Sequence, residues 1–340
     1  MKILGIETSC DDTSAAVVEN GCRILSNVVS SQIRIHKKFN GVVPELASRK
    51  HLENINNVIG LALEKTKKID AVAVTEGPGL IGSLLIGASS ALAISQLLGV
   101  PVFGINHIEG HIFSNYLYTN KFRENSQPVA PFLALIISGG HTDLIIVKKK
   151  GKYEILGRTR DDAVGEAFDK VAKFLGLGYP GGPVIDRLSW KGDPGKIKLP
   201  RPYMPWTWDF SFSGLKTAVI NYASAHQTRG TYDFKKADLC ASFQKACVDV
   251  VLRKTIDAAN KYRLKRIVLG GGVSSNSLIR ILFEQACAAG KIKLHIPPPE
   301  FCTDNAAMIA AAAYHKMKVC GHIKKTFVPL PDLELHDWKK

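Results

Sequence analysis

Residues 2–18, KILGIETSCDDTSAAVV, read as a strand (2–7), a small polar turn and a second strand (14–18). Residues 132–149, FLALIISGGHTDLIIVKK, repeat that plan about 130 residues later. The aliphatic and β-branched runs predict half-buried or buried strands, and the Ser, Thr, Gly and Asp between them are turn formers. A further strand-like piece follows each copy, CRILSNVVSS (22–31) in the first and YEILGRTR (153–160) in the second. Each copy then carries a parallel-type strand ending in a Gly-rich turn before a helix: IDAVAVTEGPG (69–79) and RIVLGGGVSSN (266–276). A plan of this size occurring twice is the duplication of a whole domain rather than a solenoid repeat.

Helical spacing of apolar residues predicts helices over 44–68, 80–98, 163–176, 238–260 and 304–317. The stretch 119–131, TNKFRENSQPVAP, reads as the linker, which places one lobe at 1–128, completed by about 305–330, and the other at 129–304. Residues 189–215, rich in Pro, Lys and aromatics, read as a surface excursion. The expectation is an α/β chain with the duplicated two-lobe architecture of actin, the 70-kDa heat-shock ATPases and the sugar kinases. In those proteins the nucleotide phosphates lie between two hairpin turns; this is analogy of fold, and fold alone does not fix chemistry.

A chain of 340 residues is too long for one ordinary core, and its 46% apolar and 22% charged residues are those of a folded soluble protein. Seven cysteines form no C-x-x-C pair, which suggests a reducing cytosol. The N-terminus enters a strand at once, so no signal or transit peptide is expected. The apolar run 80–100 approaches membrane-spanning length but is broken by Gly and Ser, and reads as a buried helix. These features predict a cytoplasmic protein with no membrane association. The net charge of +15 is scattered in clusters: Lys37–Lys38, Lys65/Lys67/Lys68, Lys148–Lys150 with Lys152, Lys196/Lys198/Arg201 and Lys235–Lys236. Such a surface favours a polyanion, nucleic acid first.

Chemistry concentrates in a few motifs. In NHIEGHIF (106–113), His107 and His111 stand four apart and share a helix face, as metal ligands do. A zinc protease of the H-E-x-x-H type would place its Glu directly after the first His; Glu109 falls on the wrong side of the helix. In FCTDNAAMIAAAA (301–313), Asp304 reads either as the N-cap of an apolar helix or as a third ligand. Two imidazoles and a carboxylate with open positions suit Fe(II) or Zn(II). The turn SGGHT (138–142) can aim backbone N–H groups at a phosphate through Gly139 and Gly140, with Ser138 and His141 adding polar contacts. Its partner turn carries Asp11 and Asp12, adjacent carboxylates that are costly without a cation, a basic group or solvent. In GGGVSSN (270–276), Gly271 and Gly272 allow close approach of a flat or anionic ligand, and Asn276 offers a donor and an acceptor to a base or ribose. Glu166 and Asp169 share a helix face, with Lys173 one turn beyond Asp169, and Gly182 with Asp186 follow as a second approach loop.

Ten ordered motifs carry a resemblance: GIETSCDDT, GVVPELASRKH, EGPGLIGSLLIG, HIEGH, SGGHT, DDAVGEAFDK, YPGGP, FSFSGLKT, GGGVSSN and FCTDNAAMIA. Together they resemble the universal tRNA N6-adenosine threonylcarbamoyltransferase family, formerly called O-sialoglycoprotein endopeptidases, and its bacterial branch in particular. The resemblance covers essentially residues 1–330. It implies an actin-like fold and transfer of L-threonylcarbamoyl from threonylcarbamoyl-AMP to N6 of adenosine 37 in tRNAs reading codons that begin with A. It implies one iron or zinc ion per subunit on His107, His111 and Asp304. The adenylate, or an ATP-type nucleotide with Mg²⁺, would lie on Ile136–Gly140, Asp169, Gly182, Asp186 and Asn276; we add His141, Glu166, Gly271 and Gly272. Asp11 and Asp12 match an acidic pair of the family, whose second member is often Glu. The implied partners are tRNA, a catalytically silent paralogue, a small P-loop ATPase, and a synthase supplying the adenylate. Competing readings are an ATP-hydrolysing regulatory or chaperone-like protein on the same fold and, last, a metalloprotease.

Overall fold

The computed structural model describes residues 1–66, 68–119, 127–228, 231–321 and 327–339. Lys67 of one basic cluster and residues 120–126 of the expected linker lie outside them. In chain order the elements are β1 (Lys2–Glu7), β2 (Asp12–Glu19), β3 (Arg23–Ser31), α1 (Ile33–His36), α2 (Pro44–Leu63), β4 (Ala71–Gly77), α3 (Ile81–Leu98), β5 (Val102–Asn106) and α4 (His107–Phe113). Next come β6 (Phe132–Ile137), β7 (Thr142–Lys149), β8 (Lys152–Arg158), α5 (Val164–Phe174), α6 (Gly181–Ser189), α7 (Ser213–Ala225), β9 (Gln227–Thr228) and β10 (Thr231–Tyr232). The chain closes with α8 (Lys236–Lys261), β11 (Arg266–Gly270), α9 (Ser277–Ala289), β12 (Lys293–His295), α10 (Pro299–Cys302) and α11 (Ala306–Cys320).

Two compact units result, the first from 1–130, 147–153 and 300–340, the second from 131–146 and 154–299. Their sheets have the orders β3-β2-β1-β4-β5 and β8-β7-β6-β11-β12, the same plan with the second set of strands substituted for the first. The parallel pairs β1–β4 and β4–β5 match β6–β11 and β11–β12. The expected duplication is therefore present strand by strand.

In the first unit, alternation along β1 splits its side chains between two layers. Leu4 and Ile6 pack with Ile55, Val58 and Ile59 of α2, while Ile3 joins the alanine-rich α11. Both faces are covered, so the strand is apolar throughout rather than alternating. The small residues of α11 permit a close approach: a Cβ on Gly5 would lie 2.2 Å from the Ala306 carbonyl oxygen. Each buried Leu or Ile contributes about 1.5–3 kcal/mol.

Three expectations change. Asn305, not Asp304, caps α11, its side chain accepting from Met308 N at 3.2 Å. Asp304 is left one residue before the cap. The run 80–100 is not a buried helix: α3 packs Leu84, Ala88 and Ala91 inward, yet Ile81, Leu85 and Leu97 are exposed, Leu97 at 83%. Among the described residues it is the one helix long and apolar enough to cross a membrane. Nor is 189–215 a mere surface excursion, because Ile197, Leu199, Phe210, Phe212 and Leu215 lie in the second unit's core. The buried Lys254 ammonium secures that segment by donating to the carbonyls of Met204, Thr207 and Asp209. Periodicity is blind to a loop tied down in this way.

Candidate metal centre and nucleotide-binding loops

Asn106 starts α4: its Oδ1 accepts from Ile108 N (2.8 Å) and Glu109 N (3.4 Å). One turn later the helix has placed His107 and His111 side by side, ring centroids 4.6 Å apart. Asp304 comes from the far end of the chain to lie 3.5 Å from His107 Nε2 and 3.2 Å from His111 Nε2. One ligating atom from each of the three lies within 4.8 Å of the others. His111 is fully buried, with Nε2 turned to the Asp304 carboxylate and no hydrogen-bond partner at Nδ1. Two imidazoles and a carboxylate converging in a buried region are a donor set that fits a divalent metal.

A fourth residue, overlooked in the sequence, completes the arrangement. Glu7 ends β1 with no solvent exposure, and its Oε2 lies 3.0 Å from His107 Nδ1. Thr75 Oγ1 donates to the same oxygen at 2.6 Å, and Ser9 N donates to Oε1. Carboxylate–imidazole pairs of this kind orient metal-bound histidines. Burial disfavours charge on His107, but Asp304 and Glu7 outweigh it and lift the imidazolium to about 10. Burial likewise opposes the Asp304 carboxylate, yet His107 beside it pulls its pKa well below the usual range. The centre is built to hold positive charge, as a proton or a metal ion. Glu7 was missed because an acid closing an apolar strand looks like the strand's solvated end.

The C-terminal segment braces this helix. Leu333 O accepts from Asn106 Nδ2 (3.1 Å), Leu330 N donates to Glu76 O (2.8 Å), and Pro331 O accepts from Gly79 N (3.0 Å). Trp338 stacks on Phe113 with centroids 5.8 Å apart, and its indole N–H donates to Glu109. Glu109 is thus spoken for on the face away from the histidines, with burial raising its pKa.

The turn 8–13 lies beside the centre. Burial, with Asp304 adding to it, raises the pKa of Asp11. Burial also lifts Asp12 to about 7. The buried His51 fixes the turn: Nδ1 bonds Thr13 Oγ1 at 2.8 Å and Nε2 bonds Cys10 O at 3.0 Å. Gly87 leaves room for Thr8, whose Oγ1 would be 2.3 Å from a Cβ there.

The second unit gathers the other expected residues. In the turn after β6, Ser138 Oγ accepts from His141 N (3.1 Å) and Gly140 N (3.4 Å). These two amides close the turn on itself rather than pointing outward, a correction to the expected nest. Gly139 and Gly140 have ordinary dihedrals, and a Cβ on either would meet nothing within 4 Å. Their contribution is open space, not unusual backbone. Ile136 and Ile137 are wholly buried in β6. Gly271 does need its freedom, at φ +86° with the Ile137 carbonyl 2.3 Å from any Cβ; Gly272 follows in a short 3-10 turn.

On α5 the ion pairs run from Lys170 to Glu166 (2.8 Å) and Asp162 (2.5 Å). Asp169 Oδ1 accepts from Gly181 N at 2.6 Å, tying α5 to the start of α6, and Gly182 beside it faces open space. Asp186 accepts from Ser277 N (3.1 Å) and Ser277 Oγ (2.6 Å). Asn276 caps α9 through Ile279 N (3.1 Å) and donates to Gln244 Oε1 (2.8 Å). Gln244, buried and also overlooked, donates to Asp186 Oδ1 (3.2 Å) and Ser189 Oγ (2.8 Å). It links Asp186 to Asn276. Nothing local in a helix such as α8 distinguishes this Gln from a solvated one.

The duplicated sheets and the site define the class first. The fold is that of the actin-like ATPases, and solved structures share it: the activator of the 2-hydroxyisocaproyl-CoA dehydratase of Clostridium difficile (TM-score 0.53, 15% identity, 94% of this chain and 96% of that one). HypF of T. kodakarensis is similar over 95% of this chain and 49% of its own (TM-score 0.62, 12% identity). The sequence pattern described as tRNA N6-adenosine threonylcarbamoyltransferase matches residues 23–311. Proteins of that name are 50% identical in Endomicrobium trichonymphae over the whole of both chains, and in Thermosipho africanus over 98% of this chain and 100% of that one. This chain belongs to the tRNA N6-adenosine threonylcarbamoyltransferase family, acyltransferases that modify tRNA.

Proposed function

We propose that this chain transfers the L-threonylcarbamoyl group from threonylcarbamoyl-AMP to N6 of adenosine 37 in tRNAs reading codons that begin with A. The observation that carries the mechanism is the buried His107–His111–Asp304 cluster with its supporting Glu7. Those three residues would hold one iron or zinc ion, which supplies a Lewis acid for the threonylcarbamoyl end. N6 forms a bond to the carbamoyl carbon, the bond from that carbon to the AMP phosphate oxygen breaks, and AMP leaves with the electron pair. Asp11 orients N6 and takes its proton, aided by burial, which raises its pKa above the ordinary carboxylate value. Asp12, at about 7, is the second acceptor. Adenine N6 is a weak nucleophile, so positioning supplies much of the rate.

The loops of the second unit would take the adenylate: 136–141 the phosphate with Mg²⁺ as counter-ion, in the open space at Gly139 and Gly140 and not on the Gly140 and His141 amides, and Glu166, Asp169, Gly182, Asp186, Gly271, Gly272 and Asn276 the nucleoside side. The three metal-ligating candidates all belong to the unit formed by 1–130, 147–153 and 300–340, and the adenylate-binding candidates to the unit formed by 131–146 and 154–299. In the cytoplasm the chain would act with the silent paralogue and the P-loop ATPase on adenylate from the synthase. The exposed Leu52, Ile81, Leu85 and Leu97 of α2 and α3 support a protein partner.

Incubating the purified chain, its partners, threonylcarbamoyl-AMP and unmodified tRNA, then digesting to nucleosides for mass spectrometry, tests the reading. Loss of product in His107→Ala/His111→Ala supports it; full activity there defeats the metal role. Robust ATP turnover without tRNA would favour the chaperone-like alternative. Glu109, the acid that a zinc-protease reading would call on, is bonded to Trp338 instead.

A further inference from the structure

One basic cluster borders the carboxylate turn. Residues 20–44 contain Arg23, Arg34, Lys37 and Lys38 and not one acid. Arg34, Lys37, Lys38 and Phe39 are exposed, Phe39 at 51%. Among the described residues, none of these three cations pairs with a carboxylate, whereas Arg23, Lys152, Lys170 and Arg201 each do. Unpaired charge is available in full to a ligand.

The segment stands on a pedestal joined to the reacting turn. Gln32 N donates to Asp11 O (3.1 Å), and Gln32 Nε2 to Ala47 O (3.3 Å). The buried His36 lies 3.2 Å from Gln32 Oε1 through Nε2 and accepts from Val43 N through Nδ1 (3.3 Å). Burying the one polar residue in the middle turns its neighbours Arg34, Lys37, Lys38 and Phe39 outward.

Several cations of the other clusters are already engaged. Lys150 lies against His315 and Lys152 against Asp337; Lys236 donates to Leu175 O; Arg201 pairs with Asp249. Lys65 follows the far end of α2, about 20 Å along the helix from His51.

We propose that Arg34, Lys37, Lys38 and Phe39 form the contact for the anticodon loop of the tRNA, an assignment that rests on the proposed function. The cations take phosphates flanking adenosine 37, and Phe39 stacks on a neighbouring unpaired base. Single-stranded RNA is recognised by this pairing of charge with aromatic faces.

The test measures binding of an unmodified tRNA transcript to the full-length chain across KCl concentrations, with ADP affinity and metal content as controls. Lys37→Gln/Lys38→Gln should weaken tRNA binding about 10-fold near 0.1 M salt and flatten the log Kd–log[KCl] slope by about 1 to 2. Phe39→Ala should weaken it about 5- to 50-fold without changing the slope, and Phe39→Trp should restore it. ADP affinity and metal content should not move; their loss in these variants would mark structural damage and overturn the assignment. Wild-type affinity and slope in the lysine pair, or Phe39→Ala equal to Phe39→Trp, would also overturn it. A wild-type chain that binds tRNA yet leaves adenosine 37 unmodified would instead overturn the proposed function.

Discussion

The candidate metal centre of the first unit and the candidate nucleotide loops of the second solve opposite problems. Around His107 and His111, four carboxylates (Glu7, Asp11, Asp12 and Asp304) crowd together, protonation is shifted, and the Nδ1 of the buried His111 has no hydrogen-bond partner. Around Asp186 and Asn276 the polar atoms satisfy one another through Gln244 and Ser277. One half keeps charge in readiness for an ion; the other keeps a shape. Polar groups left unsatisfied mark where a ligand must contribute energy, and satisfied networks mark where geometry is preset.

Substitutions should separate the two. The largest effect is expected from His111→Ala: bound metal measured by elemental analysis should fall from about one per chain to nearly none, and tRNA modification by more than about 10³-fold, while ADP affinity by calorimetry stays put. Glu7→Gln keeps the shape but removes the charge on His107, and metal affinity by competition with a chelator should weaken about 10- to 100-fold. On the other side, Gln244→Leu strands Asp186 and Asn276. It should weaken ADP binding about 5- to 100-fold with metal content unchanged. Equal metal loss in Gln244→Leu would dissolve the distinction.

Smaller effects sharpen it. Trp338→Ala leaves Glu109 buried without its indole donor and opens the stack on Phe113; it should lower stability by about 3–5 kcal/mol in urea titration. Asp12 has a folded pKa of about 7 against an ordinary 3.8, so the carboxyl costs stability progressively as pH rises through that window. In chelator-treated protein, Asp12→Asn should match wild type below about pH 4 and melt higher above about pH 7, as read by a pH series of thermal melts.

Much of this was legible in the chain. The two strand–turn–strand copies predicted the duplicated sheets because strand formation rests on local side-chain patterning. The i,i+4 histidines predicted their own juxtaposition because helix geometry is local. The helix ends were harder: Asp304 and Asn305 compete for one cap, and in the folded chain Asn305 takes it while Asp304 meets the histidines. The same limit hid the half-exposed side of α3, since apolarity does not say which face a neighbour covers.

By itself, then, the sequence determined the fold class through side-chain patterning within single elements, the shared face of His107 and His111 through helix spacing, and the family through ten ordered motifs that resemble it. The tertiary structure alone decided which side chains support them. Glu7 meets His107 across 100 residues, Trp338 meets Glu109 across 229, and Gln244 meets Asn276 across 32. Such pairs arise when separate elements are packed, and no periodicity of one segment records its partner in another.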